Sequence, residues 1–139
     1  MKTDKHKILI NPKGTEVIYT NMQFSQAVRS GDNVWVSGQV GIDDKWKAAE
    51  GVEAQARLAF QNLQNIIREA GGSLDDIVEL TTFHTSMAGM KDFLKVKSEF
   101  FPKDYPAWTA VGVTELAMPK LLLEIRATAV IGSGEGKTV

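Results

Sequence analysis

The chain has 139 residues, 43% hydrophobic and 24% charged, with 16 basic against 17 acidic side chains and a formal net charge of -1. That length makes one domain, and the charge balance lacks the basic excess that a nucleic-acid footprint needs. There is no cysteine, so disulfides, thiol catalysis and thiolate zinc sites are excluded.

No apolar run approaches the roughly 18 residues of a membrane span. Met1 to Lys7 lack the apolar stretch of a signal peptide, and the expectation is a cytoplasmic protein. Ile8-Leu9-Ile10 is a short apolar run, and Asn11-Pro12-Lys13-Gly14 reads as a turn. Val17 to Thr20, β-branched and aromatic, predicts a short strand. A hairpin follows, with residues 25–30 joined to 33–37 through Ser30-Gly31-Asp32-Asn33. Gly38 and Gly41 close its second strand. They mark either a bulge or tight bend, or a place where another backbone or a ligand approaches closely.

Glu50 to Ala70 is the longest periodic segment. Val52, Ala56, Ala59, Phe60, Leu63, Ile66, Ile67 and Ala70 form one apolar stripe of a helix, and Gly71-Gly72 supplies its cap. Ile77 to Thr85 predicts a strand, and Asp75-Asp76 shapes the turn before it. Met90 to Phe101 predicts a second helix, with Met90, Phe93, Leu94, Lys97 and Phe101 roughly on one face and Pro102 ending it. Pro106 to Val130 reads as two strands joined by a short connection. In the second, Leu123, Ile125, Ala127 and Ala129 share the face that a helix would cover, and Leu122, Glu124, Arg126 and Thr128 share the other. Residues 132–139 read as a flexible tail. The order predicts an α+β layer: one sheet with both helices packed on one face.

Spacing alone specifies no chemistry: GxGxxG, the Walker loop, HExxH and GxSxG are all missing. His84, near a strand end, is either a hydrogen-bonded structural residue or a group that titrates near neutrality. By alternation it shares a face with Val78 and Leu80, on the helix-covered side. A histidine metal site lacks a second ligand. Trp35, Trp46 and Trp108 serve packing or wall an apolar pocket. Glu124 stands in an apolar run, where a carboxylate must be paired, hydrogen-bonded or neutralised. Either it pairs with Arg126, or it is held in a cleft as a proton donor or acceptor.

Across residues 16–131 the chain resembles the RidA/YjgF family. The resemblance rests on Phe24-Ser25-Gln26-Ala27-Val28, Val34-Trp35-Val36-Ser37-Gly38-Gln39, Gln55-Ala56-Arg57, Asn62-Leu63, Ala70-Gly71, Leu74-Asp75-Asp76-Ile77-Val78, Phe100-Phe101, Pro106-Ala107 and Glu124-Ile125. It implies a single domain over 16–131 behind an N-terminal extension, 1–15. It also implies a six-stranded mixed sheet backed by two helices, of the YjgF/chorismate-mutase type. The assembly implied is a homotrimer with small-molecule clefts between subunits. The activity implied is cofactor-free hydrolysis of enamines and imines.

Residue by residue, Glu124 matches the family glutamate that positions or activates water, and Ser37 and Gly38 match the turn lining the cleft. Three positions depart. The family's substrate-binding arginine is Trp108 here, its tyrosine is Phe24, and its asparagine is Leu94. Losing a charge-assisted carboxylate contact costs about 2–5 kcal/mol, so the substrate scope is expected to differ. The cleft suits a larger, flatter or less charged ligand. Arg126 is a candidate for the missing cation, although neighbours on one strand face lie about 7 Å apart. The expectation is a deaminase-like hydrolase with Glu124 catalytic and Phe24, Ser37, Gly38, Leu94, Trp108 and Arg126 lining the substrate. The alternative is a non-catalytic small-molecule-binding trimer. A nucleic-acid activity, which an older ribonuclease label of the family would imply, is disfavoured by the charge balance.

Overall fold

The computed structural model describes residues 6–138. The first five residues of the expected N-terminal extension and Val139 of the expected tail lie outside that range. The elements are β1 (Ile8–Ile10), α1 (Glu16–Met22), β2 (Ala27–Ser30), β3 (Asn33–Val40), α2 (Val52–Glu69), β4 (Ile77–His84), α3 (Met90–Phe100), β5 (Ala107–Gly112) and β6 (Leu123–Val130). The strands form one sheet in the order β1-β2-β3-β6-β4-β5. Every pairing is antiparallel except β4 with β5, which is parallel. The α+β class and the six-stranded mixed sheet are therefore as expected.

Helices α2 and α3 cover one face. The apolar stripe of α2, through Ala56, Ala59, Phe60, Leu63 and Ile67, is fully buried. It packs on Val34, Leu80, Leu123, Ile125 and Ala129 of the sheet. Phe60 sits at the junction of the helices, its ring 5.7 Å from Phe93, 5.1 Å from Phe100 and 5.8 Å from Phe101. Burying an aromatic or large aliphatic side chain this way stabilises by roughly 1.5–3 kcal/mol each. The α2 terminus follows the glycine signal: Gly71 takes φ 96°, and the Gly72 N–H donates to the Ile67 carbonyl at 2.9 Å. Arg29 Nη1 adds a bond of 2.7 Å to the Ala70 carbonyl.

Two expectations are corrected. Val17 to Thr20 belong to a helix, not a strand. Local bonds outweigh β-propensity there. The Thr15 hydroxyl donates to the Pro12 carbonyl at 2.6 Å, Glu16 Oε2 accepts the Gly14 N–H at 2.8 Å, and Gln23 ends the turn at φ 62°. The apolar run Ile8–Ile10 takes the edge position beside β2 instead.

The last two strands are not neighbours, since β4 lies between β5 and β6. Their connection is spanned by Gln55 of α2. Its Nε2 donates to the carbonyls of Lys120 (2.8 Å) and Ala49 (3.0 Å), and its Oε1 accepts the Leu122 N–H at 2.8 Å.

Val78 does not share the face of Leu80 and His84. A register shift between Ile77 and Glu79 turns it outward, where it is 40% exposed. Leu80 and His84 are buried on the helix side, as expected.

The face opposite the helices carries Trp35, 47% exposed, on a central strand. Among the described residues no element covers that face.

Candidate functional site

The site begins with a bulge in β3. Val36 pairs with Ala127 of β6, but Gln39 pairs with Ile125, so one extra residue is accommodated around Ser37 and Gly38. The glycines read from sequence as a strand end are thus partly inside the strand, which runs on to Val40. The bulge is tied to the segment before β2. The Ser37 hydroxyl donates to the Ser25 carbonyl at 2.7 Å, and the Ser37 N–H donates to the Gln26 carbonyl at 2.9 Å. Buried Gln39 and Gln26 join through a 2.9 Å side-chain bond. Gln26 N–H in turn donates to Asn11 Oδ1 at 3.1 Å. These bonds hold Phe24 beside the bulge.

Glu124 of β6 lies directly against this bulge. A β-carbon placed on Gly38 would come 2.6 Å from Glu124 Cδ and 2.8 Å from Oε2. A side chain at this position would push the carboxyl group aside. Gly38 has an ordinary negative-φ backbone, so the constraint is the neighbouring carboxylate and not the main-chain conformation. Burial raises the Glu124 carboxyl above its ordinary value of 4.5. Among the described residues it forms no hydrogen bond or ion pair, Arg126 included.

A cavity of about 460 Å³ opens here. It is an open hollow lined by Ser37, Gly38 and Glu124 together with Phe24, Val28, Trp35, Val36 and Arg126. Arg126 is exposed, on the same face as Glu124. A second hollow, near Phe101 and Pro102, holds only about 60 Å³, the room of a water or two.

Leu94 and Trp108 do not line this cavity. Trp108 of β5 pairs with Leu80 of β4 and turns to the helix side. Its Nε1–H donates to Thr82 Oγ1 at 2.9 Å, and its ring centroid is 6.0 Å from that of Phe93. Leu94 is 46% exposed on α3. The seven residues expected to meet a ligand thus fall into two sets on opposite faces of one protomer.

His84 takes its structural role. It is buried, edge-on to Phe93 at 4.8 Å, with Nε2 2.7 Å from Thr82 Oγ1. Thr82 already accepts the Trp108 N–H, so its own hydroxyl hydrogen can go to His84 Nε2. That arrangement needs a neutral imidazole, and burial indeed lowers the His84 pKa below 6.5. Among the described residues no group of three histidine, aspartate or glutamate side chains gathers to hold a metal.

Sequence reasoning missed two features. Val28 lines the hollow beside its cross-strand partner Trp35, for which the pocket-wall reading and not the packing one holds. Alternation between buried Val34 and Val36 would have put Trp35 on the open face. Lys97 is buried with its ammonium against aromatic rings. Its place in the apolar stripe of α3 was the available signal.

Comparison with known proteins agrees with this architecture. The family model described as Endoribonuclease L-PSP matches residues 15–131. The RutC family protein YjgH of Escherichia coli is 44% identical over 108 residues, covering 76% of this chain and 82% of the relative. A protein of Dermatophagoides farinae named 2-iminobutanoate/2-iminopropanoate deaminase is 32% identical over 95 residues, covering 67% of this chain and 74% of the relative. The crystal structure of Rv2704 from Mycobacterium tuberculosis, a member of the YjgF/YER057c/UK114 family, superposes with a TM-score of 0.81 at 27% identity. It covers 91% of this chain and 100% of that one. Among the described residues no helix is long and apolar enough to cross a membrane. A bulged sheet strand seating a carboxylate, two helices on one face and the family match over residues 15–131 place this chain in the Endoribonuclease L-PSP family, the RidA/YjgF proteins.

Proposed function

We propose that this protein hydrolyses an enamine, an imine or a related labile metabolite in clefts completed between the subunits of a homotrimer. The observation that carries the reading is Glu124: a carboxyl group on a glycine bulge, partly desolvated and free of an ion-pair partner among the described residues. A raised carboxyl pKa suits a group that both takes and gives a proton. In the proposed reaction Glu124 accepts a proton from water as its oxygen bonds to the imine carbon. The proton then passes to nitrogen as the carbon–nitrogen bond breaks, so imine and water yield a carbonyl compound and ammonia. An enamine enters after protonation at carbon has converted it to the imine.

Two further observations support the assembly. The exposed Trp35 face asks for a cover. Phe24, Ser37, Gly38, Glu124 and Arg126 can share one ligand with Leu94 and Trp108 only if a second copy brings its β5 edge to the cleft of the first. Trp108 in place of the family arginine implies a substrate scope that differs from arginine-bearing relatives. The apolar walls, Phe24, Val28 and Trp35, favour as second reading a trimer that binds a flat metabolite without chemistry. Turnover of freshly generated 2-aminoacrylate, with Glu124→Gln as comparison, separates the two. Loss of turnover in the variant supports catalysis. Undiminished turnover would remove Glu124 from the chemistry.

A further inference from the structure

Residues 132–136, Gly-Ser-Gly-Glu-Gly, follow β6 and are tied to two carboxylates. The first is Asp76, buried just before β4. Its Oδ1 accepts the N–H groups of Gly132 at 3.2 Å and Gly134 at 3.0 Å, and its Oδ2 accepts the Ser73 N–H at 3.1 Å. The Ser133 hydroxyl donates to the Asp76 carbonyl at 3.4 Å. Gly132 and Gly134 take φ 89° and 52°, and main-chain turns of this kind gather N–H groups around an anion. Hydrogen bonds to a charged acceptor are stronger than neutral ones. The second carboxylate is Asp104, whose Oδ2 accepts the Gly136 N–H at 3.3 Å. Asp104 lies in the connection between α3 and β5, at φ 51°. Between the two ties, Gly134 and Glu135 line the small hollow beside Phe101 and Pro102.

The connection has little else to hold it. Residues 102–105 are exposed and lead into β5, which has a neighbouring strand on one side only. Among the described residues no other hydrogen bond reaches 102–105 from elsewhere in the chain. The Lys103–Glu135 ion pair, 3.8 Å long and exposed at both ends, joins the same two segments but adds little by itself. We propose that residues 132–136 form a strap that positions the entry to β5, with Asp76 as its anchor and Asp104 as its point of attachment. The strap starts at the end of β6, is held at the start of β4 and reaches the segment before β5, so it ties the edge strand to two inner strands. Trp108 is then placed by its bond to Thr82 and by this entry together. The β5 edge is the part that a second copy brings to the cleft, so the strap acts on substrate position in the neighbouring subunit. That consequence rests on the proposed function.

Amide hydrogen exchange tests the strap in the wild type, in a chain shortened to Ile131, in Asp104→Gly and in Asp104→Asn. Glycine keeps the positive φ and removes the acceptor, whereas asparagine tolerates that φ and keeps a carbonyl oxygen. Peptides spanning 101–112 are expected to exchange at least about tenfold faster in the shortened chain. In Asp104→Gly, which loses one hydrogen bond, the expected change is about two- to tenfold. Asp104→Asn is expected to match the wild type. Glycine at 104 should add nothing in the shortened chain, where its contact is already gone. Exchange in α2 is expected to stay as in the wild type, and a general loss of fold would speed it too. If the shortened chain loses α2 protection, Asp104→Gly against Asp104→Asn decides. Wild-type exchange at 101–112 in Asp104→Gly, or an additive effect of glycine in the shortened chain, would overturn the strap. On freshly generated 2-aminoacrylate, Asp104→Gly is expected to raise KM about two- to tenfold with kcat kept, since the strap touches neither Glu124 nor its bulge. Asp104→Asn is expected to restore KM. A merely destabilised chain would leave KM unmoved well below its melting temperature. An unchanged KM beside a loosened β5 would overturn the positioning role. A wild type without turnover would remove the proposed function, and exchange alone would then decide for or against the strap.

Discussion

The Glu124 carboxyl group lies across the main chain of Gly38, so close that a single added methyl would stand 2.6 Å from its Cδ. The β3 bulge and the β6 alternation meet at this contact. Gly38→Ala is therefore expected to displace the carboxylate without disturbing backbone dihedrals. Activity should fall by at least about tenfold, since small misplacements of a reacting group carry such penalties. The side chain that must move is flexible, so stability should change little. Steady-state kinetics and denaturant melts on the variant check both.

Glu124 also gives a pH signature. Its carboxyl group holds its proton more tightly in the folded chain than in the unfolded one, because burial penalises the charge. Over the window above 4.5 the folded state thus binds more protons, and stability falls as pH rises through the folded value. Glu124→Gln removes that loss. Thermal melts should show the variant matching the wild type below about pH 4, a bound set by the ordinary glutamate range, and exceeding it at pH 8. An unchanged difference across the range would contradict the assigned desolvation.

Gln55 fastens the β5–β6 connection through hydrogen bonds to backbone groups at 120 and 122, and its third bond ties it to the carbonyl at 49. Gln55→Leu fills the space but leaves two carbonyls and one N–H without partners. The expected loss is roughly 3 kcal/mol or more, since each of the three groups stranded costs about 1–3 kcal/mol. Because the connection leads into β6, activity should weaken at temperatures where the fold persists. Urea titration and a temperature series of the assay measure the two effects.

An arginine at position 108 is expected to be poorly tolerated. Trp108→Arg would lose the bond to Thr82 and the packing on Phe93, and would set a second cation beside Lys97. A loss of about 2–4 kcal/mol is in line with removing a large aromatic from a packed site. Differential scanning calorimetry would show it. A stable variant with raised activity toward 2-aminoacrylate would mean that the position accepts an arginine.

Much of this arrangement is legible in the chain. The α2 stripe and its Gly71 cap can be read because helix periodicity is local. The two faces of β6 can be read because Leu123 to Ala129 alternate without interruption. Three features could not be read locally. Val17 to Thr20 carry β-forming side chains, but their helix is set by bonds from Thr15 and Glu16. The parallel pairing of β5 with β4 is a long-range choice that neither segment encodes alone. Bulges reverse parity: the one between Ile77 and Glu79 turns Val78 outward, and the one at Ser37–Gly38 keeps β3 running past Gly38 to Val40. At the site, Glu124, Ser37 and Gly38 were marked by residue type and resemblance. The setting of Lys97 was hidden because a lysine in a helix stripe usually extends its head into water, and only the tertiary positions of Trp108 and Tyr105 put rings against its ammonium.

The central claim is that Glu124, seated on Gly38, drives hydrolysis of an enamine or imine. The direct measurement is ammonia release from freshly generated 2-aminoacrylate by the purified wild type and by Glu124→Gln, corrected for spontaneous hydrolysis. The expected result is clear turnover by the wild type and a loss of at least about a hundredfold in the variant, the lower range of general acid–base contributions. Equal rates in the two proteins, or none above background in the wild type, would contradict it.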